Sequence, residues 1–338
     1  MKKRRWPILI IYAIALGVCA VLIYVVPEVF GLFDSTYIAK NGDISVSDDV
    51  RAYIFRDEHV YVAETDGEVN RLVEEGSLVK GTAKVIELTG EGKSSVSYKY
   101  KDELESLGDN ITVASNGTTD RPGYVYYSID GMEAEFSTDN IENMTKSVID
   151  DISDYGTVET ASNTCAGGEP VFKIVNNGNW LLLFWVDNEN AERYTEGNSI
   201  TVTIDGEELP ATVKTVISGS ELTRVVVQTN KYCTGLMDSR RIDMTVTTAS
   251  ATGIILKSAS IVEKDGVQGV LVRDKVGDNQ FKPVKVMADN GEEAAVYSDY
   301  FMNSDMEFVE TVKMYDEVVT DPSDEDVKEA VDVNDKYN

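Results

Sequence analysis

The sequence predicts a mostly β protein behind an N-terminal transmembrane helix, its strands gathered into nested β modules, and three observations lead there. An uncharged apolar run occupies residues 8–26, entered through Met-Lys-Lys-Arg-Arg. The chain beyond it is rich in short alternating or β-branched runs broken by glycine and Asn/Asp turns, as in ITVTI at 200–204 followed by Asp-Gly-Glu-Glu. Helical spacing is confined to a few short stretches.

The apolar run has about the length a helix needs to cross roughly 30 Å of hydrocarbon. Each Ile, Leu or Val favours insertion by roughly 0.3 to 0.6 kcal/mol, and no charge inside the run opposes them. A cleaved signal peptide shares the basic-then-apolar order. The run exceeds a typical h-region, however, and no clear small-x-small cleavage site precedes Pro27 and Glu28. The expectation is a retained single-pass anchor over 6–33, with residues 1–5 in the cytoplasm by the positive-inside rule and the C-terminal part exported. Trp6, Tyr12 and Tyr24 suit the membrane interfaces.

Formal net charge is −28, and Lys2, Lys3, Arg4 and Arg5 do not belong to the exported surface, which is more acidic still. Such a surface repels phosphate backbones and anionic lipid, which argues against nucleic-acid partners. Acidity also keeps an exported protein soluble without any specific cationic ligand. Cys19 falls in the apolar run, while Cys165 and Cys233 lie where oxidation is permitted; one bridge and two free thiols both remain open.

The stretch at 63–86, AETDGEVNRLVEEGSLVKGTAKVI, sets Val69, Leu72, Val79 and Val85 between Gly67, Gly76 and Gly81, where tight turns ask for positive φ. A second stretch at 121–133, RPGYVYYSIDGME, places Gly123 before an aromatic β run that ends in a turn at Asp130-Gly131. Two half-units separated in sequence can close into one sandwich, and residues 53–62 supply a strand before the first half. Residues 137–155 read as a helix capped by Ser137 or Thr138, with Ile141, Met144, Val148 and Ile152 on one face. The acidic tail from Ser323 is too short to be a stable helix unless docked.

Those residues carry a family resemblance. The spacing of Gly67, Val69, Leu72, Gly76, Val79 and Gly81 resembles the first half of the lipoyl/biotinyl-like module of HlyD-type membrane fusion proteins, also called efflux periplasmic adaptor subunits. Gly123, Asp130 and Gly131 resemble its second half. Residues 169–186 (EPVFKIVNNGNWLLLFWV) with 197–204 are similar to the family's β-barrel domain. Residues 257–286, with Gly269, Pro283 and Val284, look like its membrane-proximal domain, closed by YDEVV at 315–319. The resemblance implies a chain that leaves the bilayer and returns. The membrane-proximal β domain then takes 34–62 and 253–321, and a lipoyl-like split sandwich takes 63–88 and 111–136 around a connector at 89–110. A helix or linker follows at 137–160, the β-barrel domain at 161–252, and an acidic tail at 322–338. Many family members carry a long helical hairpin between the lipoyl halves. Here even a wholly helical connector would be roughly 33 Å long, which fits an adaptor of a single-membrane cell better than a duct through a second membrane.

Chemistry is harder to find. A lipoyl or biotinyl carrier needs a lysine presented at a hairpin tip, and Lys93, Lys99 and Lys101 sit instead in a polar connector. GEGKS at 90–94 lacks the first glycine of a phosphate loop, whose place Glu87 takes, and no hydrophobic helix follows. His59 is the only histidine, which removes His-His metal spacing, and a hydrogen-bonded strand histidine is its expected role. Trp180, Trp185, Phe172 and Phe184 read as core aromatics rather than a binding face, and Arg240 or Arg241 as one half of a structural ion pair. The expected protein is a non-enzymatic adaptor without cofactor or metal. Its partners are the bilayer through residues 8–26, a membrane transporter or permease, and further copies of itself. A structural or regulatory envelope protein for division, wall or sporulation assembly, using the same fold without transport, is the alternative.

Overall fold

The computed structural model describes residues 36–90, 99–152 and 156–332, so the expected anchor at 8–26 lies outside the described residues. Among the described residues, no helix is long and apolar enough to cross a membrane. The fold is mostly β and divides into two compact units. One is Ser47–Thr248; the other joins the two ends of the chain, Met1–Val46 with Ala249–Asn338.

Six strands close a barrel in the order Ser199–Ile204, Glu207–Ser218, Leu222–Thr229, Trp180–Asp187, Lys40–Phe55, Arg241–Lys257, the last two also running beyond the Ser47–Thr248 unit. The last pairs back with the first, setting Val246 opposite Val202. Closure turns the ITVTI alternation into an inside and an outside: Ile200, Val202 and Ile204 are buried, while Thr201 and Thr203 are partly exposed. The strand Trp180–Asp187 breaks that alternation because it is covered on both sides. Trp180, Leu182, Phe184 and Val186 join the barrel core, whereas Leu181, Leu183 and Trp185 pack with Phe136, Ile141, Met144 and Ile149 on the other face. A strand buried on both faces needs a continuous apolar run, and WLLLFWV is one.

The covering segment is not the single helix expected over 137–155. It is a 3-10 turn at Thr138–Asn143 and a six-residue helix at Lys146–Asp151, whose Thr145 cap accepts from Val148 N–H at 3.3 Å. The break at Met144 shifts the helical register, so Ile149 is buried and Val148 is 40% exposed.

The other half of this unit is a sandwich. Five strands lie in the order Leu78–Val79, Gly123–Tyr126, Pro170–Val175, Glu58–Val62, Ile111–Val113, and three in the order Thr164–Cys165, Gly67–Arg71, Ile86–Thr89. Tyr61 stacks on Phe172 in its core, with ring centroids 4.6 Å apart. Two expected boundaries move. Pro170–Val175, expected in the barrel, pairs with Glu58–Val62 and Gly123–Tyr126 and so belongs to the sandwich. Residues 53–62 are two strands rather than one, with Lys40–Phe55 closing the barrel and Glu58–Val62 entering the sandwich. The aromatic residues consequently separate: Phe172 lies in the sandwich core, Trp180 and Phe184 in the barrel core, and Trp185 under the covering segment.

The second unit holds a six-stranded sheet. Thr36–Ile38, Glu317–Val319, Val267–Arg273, Asn279–Pro283 and Val331–Asp332 follow in order, with Val262–Lys264 beside Val267–Arg273. Ala39, Ile254, Leu256, Val270, Val296, Val312 and Val318 are its fully buried core. The acidic tail docks. Ser323 and Asp326 form a reciprocal capping box on helix Asp324–Glu329, and Val327 and Ala330 pack on Leu271, Phe281 and Val319. Gly269 and Pro283 face each other across a strand pair, and a side chain at 269 collides with the Phe281 ring and the Lys282 carbonyl. Gly269→Val is therefore expected to destabilise this unit by about 1 to 3 kcal/mol through overpacking. Denaturant unfolding followed at Ser47–Thr248 and at this unit separately checks it, and an unchanged midpoint for this unit refutes the reading.

Candidate functional site

Charged side chains in the interior of the Ser47–Thr248 unit meet where the sandwich joins the barrel. Arg56 immediately follows the barrel strand Lys40–Phe55, and Glu58 opens the next strand. Lys173 sits within the otherwise apolar PVFKIV strand, Asp130 and Glu133 in the turn after Ser128–Ile129, and Arg240 just before Arg241–Lys257. Arg56, Glu58, Glu133, Lys173 and Arg240 are all at most 9% exposed.

Glu58 is the hub. Arg56 Nε donates to its Oε1 at 2.9 Å, Lys173 Nζ stands 3.1 Å from the same oxygen, and Arg240 Nη2 approaches Oε2. Arg240 also grips Asp130 through both carboxylate oxygens, Nε to Oδ2 at 2.8 Å and Nη2 to Oδ1 at 2.9 Å. Lys173 Nζ donates to Glu133 Oε1 at 3.2 Å, and the same oxygen accepts from Asp130 N–H at 3.1 Å. Arg56 Nη1 donates to the carbonyls of Leu236 and Ser239, anchoring the short helix Gly235–Asp238. The cations thus come from both domains, and the carboxylates lie on the sandwich side.

Burial opposes the charged form of Glu58, but Arg240, Arg56 and Lys173 outweigh it and hold this carboxyl well below the usual range. Asp130 is lowered in the same way: burial works against ionisation and is overcome by the two hydrogen bonds and the charge of Arg240. Glu133 goes the other way. Burial pushes its carboxyl up, Glu58 and Asp130 add to that, and Lys173 only partly compensates. Among the described residues its Oε2 has no hydrogen-bond partner, nor has Arg240 Nη1.

A cleft of about 630 Å³ opens beside this cluster, bordered by Arg56, Asp130, Lys173 and Arg240 and by Tyr126 and Tyr232, whose hydroxyls are 3.0 Å apart.

The residues singled out in the sequence fall into three groups. Asp130 and Gly131 form the turn that presents the carboxylate to Arg240, with Gly131 at φ 75°. Gly67, Gly76, Gly81 and Gly123 shape the sandwich. Only Gly76 among the first three has the expected positive φ, at 78°. Gly67 and Gly81 are needed for close approach to the carbonyls of Thr89 and Asp120, and the left-handed residue beside Gly81 is Thr82, at φ 75°. Gly123 lets its strand approach the Val175 carbonyl. Val69 is buried and Val79 half-buried, but Leu72 is 48% exposed, so the run is less regular than its spacing. Gly269, Pro283 and Val284 lie in the other unit, Val284 in its core. Cys165 and Cys233 are free thiols buried in the sandwich and the barrel core respectively. Buried His59 pairs with the Thr112 hydroxyl, the strand role expected of it. Of the lysines weighed as carrier sites, Lys99 bonds the Tyr100 hydroxyl and Lys101 pairs with Glu105, while Lys93 lies outside the described residues.

Sequence reasoning missed Arg56, Glu58, Glu133 and Lys173. Lys173 left a signal, since a lone cation inside PVFKIV has to find a partner once the strand is buried.

The domain composition defines the class. Residues 58–176 match the RND-related barrel-sandwich hybrid domain and residues 180–250 the RND-related β-barrel domain, together more than half of the chain. A barrel-sandwich followed directly by a barrel is the make-up of an efflux adaptor. The chain belongs to the HlyD-type membrane fusion protein family. Solved structures similar to it include MacA from Actinobacillus actinomycetemcomitans, at 11% identity over 85% of this chain and 100% of that one, TM-score 0.36. ZneB from Cupriavidus metallidurans is 13% identical over 86% and 93%, TM-score 0.27, and Spr0693 from Streptococcus pneumoniae R6 is 12% identical over 60% and 98%, TM-score 0.26. At such TM-scores these likenesses add nothing to the argument from the domains. No curated protein matches.

Arg240→Ala leaves Glu58 and Asp130 buried without their main counter-charge, and is expected to cost the Ser47–Thr248 unit about 3 to 5 kcal/mol. Arg51→Ala removes a solvent-exposed pair with Asp243 and is expected to leave the unfolding midpoint nearly unchanged. Chemical denaturation of the two variants checks the contrast, and equal losses refute it. The pH dependence has two signs. The stability contributed by Glu58 and Asp130 is fully present above their unfolded values and is lost as pH falls through their lowered folded values, so melting temperature drops below about pH 4. The raised Glu133 carboxyl favours the fold at low pH, and that contribution fades as pH rises through its folded value. Glu133→Gln is therefore expected to flatten the decline on the neutral side while leaving the acid limb in place. Thermal melts from pH 3 to 8 check it, and an unaltered neutral limb refutes it.

Proposed function

We propose that the protein is a membrane-anchored extracytoplasmic adaptor that docks on a membrane transporter or permease and assists export. The observation that carries this reading is the match, in family order, of a barrel-sandwich hybrid domain and a β-barrel domain. The apolar run at 8–26 supplies the single-pass anchor, with the N-terminus cytoplasmic and the β modules outside. Several copies assemble around the partner, and the chain works by holding geometry rather than by chemistry.

The short connector narrows the role. Between the strands Ile86–Thr89 and Ile111–Val113 the one helix among the described residues is Lys101–Ser106, about 9 Å long. Such a segment spans no periplasm. It favours an adaptor working at one membrane, and it equally suits the second reading, an envelope protein that uses the adaptor fold without a transported substrate.

In-cell cross-linking of the full chain, followed by identification of the bound membrane protein, tests both. A transporter or permease among the cross-linked partners is the expected outcome, together with retention of the chain in membranes after alkaline carbonate washing. Recovery of only division or wall proteins, with export unchanged on deletion, supports the second reading, and release by carbonate refutes the anchor.

A further inference from the structure

One hairpin of the unit that joins the two chain ends turns its apolar residues outward. Strands Tyr300–Met302 and Phe308–Glu310 pair with each other in a two-stranded sheet, Tyr300 opposite Glu310 and Met302 opposite Phe308. Alternation therefore sets Tyr300, Met302 and Phe308 on one face, with Phe301 and Val309 on the other. The first face is the open one. Tyr300 is 53%, Met302 46% and Phe308 76% exposed, and Met306 in the connecting turn is 81% exposed, whereas Phe301 and Val309 are half-buried. Lys313 and Lys285 lie over the Tyr300 and Tyr297 rings, each 5.9 Å from the centroid, a pairing of aromatic ring and long cation that suits a membrane–water interface. Asp299, Asp305, Glu307 and Glu310 belong to the same hairpin, so charge does not draw it to anionic surfaces.

The rest of the chain narrows what covers that face. Outside the described residues, 91–98, 153–155 and 333–338 are mostly polar (EGKSSVSY, SDY and VNDKYN), while the apolar run at 8–26, followed by VFGLF at 29–33, leads to Thr36 in this same unit. Residues 27–35 span at most about 32 Å even when fully extended. Tyr315 N–H donates to the Ala39 carbonyl at 2.9 Å, so the hairpin ends five residues before a bond to the chain just past its entry strand Thr36–Ile38. The hairpin is thereby held within reach of a bilayer that holds residues 8–26. Four side chains fall far short of the roughly 20 to 30 residues a side used by a stable protein interface. A lipid contact needs no stability of its own once the anchor keeps the chain at the membrane.

We propose that the face formed by Tyr300, Met302, Met306 and Phe308 seats in the lipid–water interface of the membrane that holds the anchor, an inference that rests on reading residues 8–26 as that anchor. Seating is at headgroup depth, because a two-stranded sheet cannot satisfy both edges of its backbone in hydrocarbon. The four carboxylates favour zwitterionic over anionic headgroups. The hairpin thus supplies a second, apolar attachment, which limits swinging of its unit about residues 27–35.

The test places the photo-cross-linking residue p-benzoylphenylalanine at position 308, or at 301 on the opposite face, in the full chain, both in phosphatidylcholine nanodiscs and in intact cells. Mass spectrometry of the irradiated hairpin peptide is expected to find lipid adducts at 308 and few at 301. Met306→Glu, at an exposed turn position, is expected to lower the yield at 308 by about threefold or more, since interfacial binding scales with buried apolar area, without altering the melting temperature. Replacing part of the phosphatidylcholine with phosphatidylglycerol is expected to lower the yield as well. Equal lipid labelling at 301 and 308, an unchanged yield in Met306→Glu, a yield that rises with phosphatidylglycerol, or adducts in cells confined to a transporter or to a second copy of the chain overturns the proposal. Alkaline carbonate washing reads the anchor separately. A chain retained in membranes without lipid adducts at 308 sinks this inference alone, and a chain released by the wash sinks the anchor and this inference together.

Discussion

Glu58 is reached by three cations drawn from positions 56, 173 and 240, and none of the four side chains has bulk water to fall back on. An arrangement of that kind is a poor way to gain stability. Taking ions out of water costs several kcal/mol each, and mutual attraction returns this only when geometry and hydrogen bonding are nearly complete. Here the pairing is good around Arg240, which makes two hydrogen bonds to Asp130, and Arg56, which reaches two carbonyls, but Glu133 Oε2 and Arg240 Nη1 are left without partners among the described residues. What the cluster supplies is direction. Apolar surfaces slide past one another at little cost, whereas a forked guanidinium accepts its carboxylate in few orientations. The sandwich and the barrel each contribute members, so the cluster fixes one relation between them within the Ser47–Thr248 unit.

The local chain path depends on that relation. The chain passes from barrel to sandwich through Arg56 and Asp57 and returns through residues 176–179. Both crossings are short, and they are bonded to each other, Asn176 N–H donating to the Asp57 carbonyl at 2.9 Å. Asp57 also accepts from Thr138 N–H at 3.1 Å, which pins the start of the covering segment. Trp180 Nε1 donates to the Asn176 carbonyl at 3.0 Å, so the largest buried side chain of the barrel is tied to the return crossing. Gly178 and Asn179 turn the chain there at φ 102° and 61°, conformations that favour glycine and asparagine.

Much of this fold was legible because alternation and glycine spacing are local signals. ITVTI forecast a half-buried strand, and closure of the barrel puts its isoleucines and valine inside. The two half-modules and their family resemblance rest on turns, and the Asp130-Gly131 turn is where the sequence pointed. Strand pairing was harder, because the partner of a strand is decided by tertiary contacts that no short window contains. Residues 169–186 read as one apolar stretch, yet the chain changes domain inside it, at the turn around Gly178 and Asn179. The apolar face at 137–155 was visible, but the spacing ran on through Met144 as though the helix did not break. The ionic cluster was the least legible of all. Its six members are spread from 56 to 240, and in so acidic a sequence Glu58, Asp130 and Glu133 look like any other solvated carboxylates.

The composition of the cluster has one further consequence. Three cations, Arg56, Lys173 and Arg240, face three carboxylates, so charges cancel only when Glu133 is ionised. Glu133 is also the member whose carboxyl is pushed up and whose Oε2 is unpaired. Glu133 is therefore the cluster's edge, the carboxyl least firmly held in its charged form, while Glu58 and Asp130 are held in theirs. That edge is shared with Lys173, which borders the cleft. A joint optimised for stability alone would replace the edge pair with apolar side chains of similar volume, a substitution that is often neutral or favourable in buried ion clusters. Keeping a cation there ties Lys173 to Glu58 and Glu133 at once, which fixes the Pro170–Val175 strand against the start of Glu58–Val62 and against the turn that carries Glu133.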